Sequence, residues 1–378
     1  MSPDSREKIL LVLYITVFLN STGLGTSNFL LPVYAESLGA TYSDLGRMGA
    51  VGNIMYLIVT LATGYLLDRY ERVNLYLLFT LLGGISVGVF AFTENITQLI
   101  VTRGLLGIFS ATFWVTASTL TADLAPPEII TRAMGRYNLA WIMGFALGPL
   151  FGGYIINLFG FKTFFYSLSG LMLFSFLIIS LRIKGSIALR RSMGTASTID
   201  SLRNVIFAYL TLAPFTLVLG IYMAIMPGHM KVVGLTSATI GLLIAMTNGV
   251  RGLSFFNVER YVKWGSRKSI FSASIMIFLA MYLVRDAVNT AGFAIPLVFY
   301  GVGAGIITPV VLDYITRRIP KSALGAAMGV HEGVYGVGMC FGPLIGGRMA
   351  DIYGTQTLYI SLAFVALTIL PLSWKMTK

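Results

Sequence analysis

The sequence predicts an all-α polytopic membrane protein with twelve transmembrane helices in two six-helix halves. Three observations predict it: an apolar composition, twelve apolar runs of membrane-spanning length, and an internal repeat that pairs the first half with the second. Apolar residues make up 56% of the 378-residue chain and charged residues 11%, against about 25% charged in a soluble domain.

An α-helix needs about 20 apolar residues to cross a hydrocarbon core of about 30 Å. Runs of that kind fall at 9–33 (α1), 45–66 (α2), 73–93 (α3), 97–121 (α4), 134–158 (α5) and 163–183 (α6). They resume at 205–227 (α7), 238–257 (α8), 269–285 (α9), 292–315 (α10), 325–348 (α11) and 356–374 (α12). The leading MSPDSREK is short and polar, and the run behind it is too long for a signal-peptide core, so α1 is expected to stay in the mature protein.

Charge fixes an orientation. With both termini in the cytoplasm, twenty of the 27 Lys and Arg residues fall on cytoplasmic loops and tails and five on the opposite side, while Arg103 and Arg251 lie within spans. This is the positive-inside distribution of a plasma-membrane protein. The net charge of +12 is therefore read as an orientation signal facing lipid headgroups, with no nucleic acid as partner. Cys340 is the single cysteine and there are two histidines, so neither a disulfide, a zinc site nor any other metal or cofactor is expected.

The phrase GFALGPLFGG at 144–153 returns as GMCFGPLIGG at 338–347, a shift of 194. RAMGRYN at 132–138 overlies AAMGVHE at 326–332, and Gly107 overlies Gly301, at the same shift. Pro32, Gly39, Thr41, Gly46 and Asn53 match Pro227, Gly234, Thr236, Gly241 and Asn248 at a shift of 195. Six helices return the chain to its starting side, so two such copies share an orientation and a pseudo-two-fold axis along the membrane normal, with a substrate site expected between them. The expected organisation is an N-terminal bundle over 1–183, a basic cytoplasmic linker over 184–204 and a C-terminal bundle over 205–378.

Gly144, Gly148 and Gly152 are four apart and share a helix face, as do Gly338, Gly342 and Gly346. Bare faces let lipid-embedded backbones approach closely, and the adjoining Pro149 and Pro343 are tolerated where neighbouring helices satisfy the freed carbonyls. Each half is expected to need one close, bendable contact here, directed at the other half.

GYLLDRYERV at 64–73 resembles the G-x-L-x-D-R-x-G-R-K loop of the major facilitator superfamily, matching at Gly64, Leu66, Asp68, Arg69 and Arg72 and departing at Glu71 and Val73. RGLLGIFSA at 103–111 is similar to that family's fourth-helix pattern. The glycines and prolines of α5 resemble its drug and proton antiporter signature, which α11 repeats. The resemblance covers nearly the whole chain. It implies the twelve-helix major facilitator fold, a cavity lined by helices 1, 4, 7 and 10, and a gating role for Asp68, Arg69 and Arg72. In that role Asp68 would cap the bare helix end at Ser322, with a surface salt bridge within the loop as the alternative.

Candidate site residues follow from polar groups at membrane depth. NSTGLGTSN at 20–28 has one large apolar residue, so Asn20, Ser21, Thr26 and Asn28 are expected to face a cavity or a neighbouring helix. Their repeat partners include Phe215, with Tyr222 nearby, so one wall of the cavity is polar and the other aromatic, which suits an amphipathic organic substrate. Arg103 either counters a substrate charge or snorkels to the surface. Glu332, about two turns into α11, and its neighbour His331 are candidates for proton coupling or for a gate hydrogen bond.

No G-x-x-x-x-G-K-[ST] loop occurs, which leaves ATP-driven pumping without its usual phosphate site. The expected function is secondary active transport of a small amphipathic solute by alternating access, as a monomer, with proton-coupled efflux as the resemblance suggests. Import by uniport or proton symport is the alternative. A polytopic enzyme using Asp68, Asp123 and Asp313 is a remote one, since these acids fit structural roles at helix ends, and no enzymatic activity is expected.

Overall fold

The computed structural model describes residues 3–183, 205–320 and 324–376, and the regular elements among them are all helices. α1 runs Pro3–Ser37, α2 Tyr42–Arg69, α3 Arg72–Val89 and α4 Ile96–Leu124. α5 and α6 form one rod, Ile130–Arg182. α7 is Ile206–Ala224, extended by a short helix Met226–Val232, and α8 is Ser237–Phe256. α9 is Ser266–Val284 and α10 is Thr290–Arg318. α11 and α12 share a second rod, Leu324–Leu367, and a short helix Ile369–Trp374 follows. Ten helices among the described residues are long and apolar enough to cross a membrane, and the two shared rods bring the spans to twelve. The chain has the all-α, twelve-span architecture expected. The linker over 184–204 lies outside the described residues.

Each shared rod breaks at one glycine. Gly160 has φ 80° and ψ 175° and Gly354 has φ 83° and ψ 159°, a region open to glycine and strained for any residue with a Cβ. The two lie 194 positions apart, so the repeat extends to backbone conformation. It extends to helix starts as well. Asn95 caps α4 by accepting from the Gln98 N–H at 3.0 Å, and Asn289 caps α10 by accepting from the Gly292 N–H at 2.9 Å. The Asp44 and Thr239 N–H groups each donate at 3.2 Å to a threonine hydroxyl three residues earlier, Thr41 and Thr236.

α1 starts at Pro3, earlier than its apolar run, because proline suits a first turn whose N–H groups need no intrahelical partner. Between α2 and α3 the chain turns through Glu71 in extended conformation, φ −65° and ψ 124°. The family glycine absent at that position is not required, since no non-glycine residue among those described has positive φ.

The helices gather into two compact units. The first holds α1, α2 from Val51 onward, α3 to α6, and Thr236–Ala245 at the start of α8. The second holds Gly39–Ala50 at the start of α2, α7, α8 from Met246 onward, and α9 to α12.

Within the first unit, Gly144, Gly148 and Gly152 face α1. A Cβ at Gly144 would stand 2.6 Å from the Ser21 Cβ, and one at Gly152 would stand 2.5 Å from the Thr26 Cγ2. The second unit repeats this on α7, where a Cβ at Gly342 would lie 2.5 Å from the Leu217 carbonyl oxygen and 3.0 Å from its Cα. The glycine faces therefore pack inside their own sequence halves, which corrects the expectation that they reach across. The contact that does cross between sequence halves is made by their neighbours. Pro149 and Gly153 of α5 meet Gly241 and Ser237 of α8 in the first unit, and Pro343 and Gly347 of α11 meet Gly46 and Tyr42 of α2 in the second.

Overpacking a filled helix contact costs about 1–3 kcal/mol, and a backbone neighbour has little room to yield. Gly342→Val should therefore lower the apparent melting temperature of the detergent-purified protein clearly. Gly170→Ala, facing open space, should leave it unchanged in the same fluorescence-detected size-exclusion series.

Candidate functional site

The polar run of α1 turns inward in the first unit. Asn20 is fully buried, and its Nδ2 donates to the Thr16 carbonyl at 2.8 Å and to the Ser175 hydroxyl of α6 at 2.6 Å, while its Oδ1 has no partner. Ser21 donates to the Val17 carbonyl. Thr26 is fully buried with an unpartnered hydroxyl, and Asn28 is half-buried with an unpartnered Oδ1. Arg103 lies across Gly52 of α2, where a Cβ would stand 2.6 Å from its Cζ, so glycine makes room for the guanidinium. Among the described residues no carboxylate forms an ion pair with Arg103.

The second unit carries the titratable pair. His331 is buried and Glu332 is about half exposed at 53%, with His331 Nδ1 3.2 Å from the Glu332 Oε1. A hydrogen bond joins the two side chains, its direction set by the imidazole tautomer. His331 Nε2 is buried without a partner. The His331 ring lies 4.8 Å from that of Tyr335, whose hydroxyl bonds Thr308 of α10 at 2.6 Å and whose ring stands edge-on to Phe215 at 6.2 Å. Phe215 is fully buried, and Tyr222 is nearly so, 4.5 Å ring to ring from Tyr300 of α10. An apolar groove of about 400 Å³ runs between α7 and α11, lined by Leu217, Val330, Val334 and Val337 among others. It has the size of a small-ligand site and no charged side chain. A second groove of about 570 Å³, beside Phe92, Asn95 and Gln98, touches none of the candidate residues.

In the α2–α3 region Arg69 stacks over Tyr65 at 4.2 Å and Arg72 forms an ion pair with Asp123 at the end of α4. Both partners are largely shielded, at 11% and 15% exposure. The side chain of Asp68 and its expected target Ser322 lie outside what the structure describes.

These features sit on twelve spans in a duplicated chain, and comparison with known proteins fixes the family. The model of the Major Facilitator Superfamily matches residues 13–330 and again 208–377. The chain belongs to the major facilitator superfamily. It is 26% identical over 366 residues to the MFS-type transporter MJ1560 of Methanocaldococcus jannaschii, covering 93% of this chain and 94% of that one. It is 25% identical over 384 residues to multidrug resistance protein MdtG of Enterobacter lignolyticus, covering 97% and 91%. Among solved structures, a bacterial homologue of the human lysosomal transporter Spinster superposes with a TM-score of 0.83 at 12% identity, over 99% of this chain and 97% of that one. As a superfamily member, the chain is an integral membrane transporter of small molecules.

Three participants do not stand out in the sequence. Ser175 and Tyr300 read as ordinary members of apolar runs, and nothing in the pattern singles them out. Asp123 read as a helix-end acid, and the signal that could have paired it with Arg72 is its place at the last turn of α4 beside the family loop. Asp313, the other acid a membrane enzyme would need, bonds Arg317 at 2.7 Å one turn on. Breaking a shielded pair leaves one charge uncompensated. Asp123→Asn should cost about 2 kcal/mol of stability, and the double variant Arg72→Gln/Asp123→Asn should recover part of the loss in a thermal double-mutant cycle.

Proposed function

We propose that this chain exports a small amphipathic organic solute from the cytoplasm across the plasma membrane by alternating access, driven by inward proton movement. The observation that carries the reading is the His331–Glu332 pair. It is a buried imidazole hydrogen-bonded to a half-exposed carboxylate inside an apolar span, with an Nε2 that has no hydrogen-bond partner. The antiporter-type glycine and proline signature, present twice, and the 25% identity to a multidrug resistance protein support the outward direction. The polar face of α1 and the aromatic residues of α7 suit a solute with a polar and an apolar end. Both termini and the linker over 184–204 lie in the cytoplasm in this reading, which follows the basic residues. The six-helix bundles over 1–183 and 205–378 act as the moving halves of a monomer, and Asp68, Arg69 and Arg72 serve the cytoplasmic gate.

The test is proton movement in liposomes with a trapped pH dye, under an imposed gradient, while amphipathic cations, anions and neutral drugs are added in turn. Dye response to at least one solute is expected, and Glu332→Gln should abolish it. Solute flux with no proton movement would replace this reading with uniport. A Glu332→Gln protein with full proton-coupled flux would remove the pair from the coupling path.

A further inference from the structure

Arg251 is the second cation within a span, and the second unit gathers aromatic side chains around it. Its Nε is buried without a hydrogen-bond partner, and among the described residues no carboxylate forms an ion pair with it. The guanidinium stands 5.7 Å from the Phe255 ring and within electrostatic reach of three tyrosines, Tyr222 of α7, Tyr300 of α10 and Tyr335 of α11. Tyr300 is fully buried, and its hydroxyl has no partner. A buried hydroxyl left unsatisfied is costly, and so is a guanidinium in a membrane span without a counter-charge. Four different helices bring these groups together. α8 approaches α10 closely enough to do so because α10 carries glycine at the crossing: a Cβ at Gly305 would lie 2.7 Å from the Arg251 carbonyl oxygen, and one at Gly301 would lie 2.8 Å from the Thr247 carbonyl oxygen.

The first half of the chain has no equivalent. The repeat partners of Arg251, Tyr222 and Tyr300 are Tyr56, Ser27 and Leu106, so no cation occurs in the corresponding place. Duplication therefore does not account for this constellation, and helix packing alone does not need its charge. Glu332, which acts electrostatically on Tyr335, is hydrogen-bonded to His331.

We propose that Arg251 and the Tyr300 hydroxyl bind the carboxylate of an aromatic or otherwise amphipathic organic acid, with the rings of Tyr222, Tyr335 and Phe255 against its apolar body. This rests on the transport reading above and names the class of its solute. A planar guanidinium offers paired donors to a carboxylate, and the phenol adds a third donor whose hydrogen bond is otherwise unmade.

Three probes with one aromatic body separate charge from hydrophobicity: 2-naphthoate, 2-naphthylmethylammonium and 2-naphthalenemethanol. They are titrated calorimetrically into the full-length protein in detergent, with empty micelles subtracted. Loss of a charged hydrogen bond weakens binding by about tenfold or more. The expected result is that 2-naphthoate binds at least about tenfold more tightly than the other two, and that Arg251→Gln loses this preference. Tyr300→Phe, which removes one unpaired oxygen and keeps the ring, should weaken naphthoate about three- to tenfold without loss of melting temperature. The exposed Arg317→Gln should change nothing.

Equal affinity for the three probes, no binding of any, or naphthoate binding unchanged in both Arg251→Gln and Tyr300→Phe would overturn the proposal. The liposome assay separates the two readings. Naphthoate binding that is lost in the variants, in a protein that moves no solute, would keep the site and refute the transport reading. Proton flux with the cationic or neutral probe that survives Arg251→Gln, with no naphthoate binding, would keep transport and refute the site.

Discussion

Close approach of helix backbones is the constraint on which the rest of this structure depends. Lipid tails are as apolar as leucine, so helices in a bilayer gain little by burying leucine against leucine, and association depends on shape. Gly144, Gly148 and Gly152 of α5 against α1, and Gly338, Gly342 and Gly346 of α11 against α7, supply that shape inside each unit. The residues that flank these faces, Pro149 with Gly153 and Pro343 with Gly347, point elsewhere and meet the first turns of α8 and α2. One ten-residue phrase thus forms two seams on two sides of the same helix. That explains why it retains glycines at positions that a single small-residue face would not require.

Much of this fold was legible in the sequence because membrane spans announce themselves by length, and because the chain states its plan twice. The spans, the repeat and the glycine faces all follow from those two properties. Direction did not. A helical wheel places Gly144, Gly148 and Gly152 on one side of α5 but carries no information on which neighbour that side meets. The one-residue breaks at Gly160 and Gly354 were hidden for a related reason. A single glycine between two apolar runs looks the same whether it bends a rod or lies straight within one, and φ near 80° is a property of the folded backbone. Asn20 and Arg103 were legible as polar groups out of place, whereas their surroundings were not. The Ser175 hydroxyl that Asn20 meets and the Gly52 surface under Arg103 come from other helices, at separations local patterning does not reach.

Comparison of the two copies divides the residues by role more sharply than either copy alone. Positions that agree between copies are architectural: the caps Asn95 and Asn289, the breaks Gly160 and Gly354, and the crossing glycines Gly107 and Gly301. Positions that disagree carry the unusual chemistry. Arg103 has Leu297 as its partner, Arg251 has Tyr56, Glu332 has Asn138 and Asn20 has Phe215. A duplicated scaffold can hold its geometry with one set of residues while the other set diverges, and divergence is costly to keep where it places charge or amide groups in apolar spans.

The same contrast reaches the seam between α11 and α2. Asp351 accepts hydrogen bonds from the Tyr42 and Ser43 N–H groups at 3.0 and 2.8 Å, so a carboxylate satisfies the first turn of α2 where the helix dipole favours negative charge. The Tyr42 ring in turn lies edge-on to the buried His229, 6.2 Å between centroids. The partner of Asp351 in the first copy is Asn157, which has an amide in place of the charge. The two seams are therefore alike in backbone contact and unlike in electrostatics. The charge at the start of α2 is thus an addition of the second copy to a joint whose backbone contact both copies share, and the symmetry of the fold does not extend to the electrostatics of its joints.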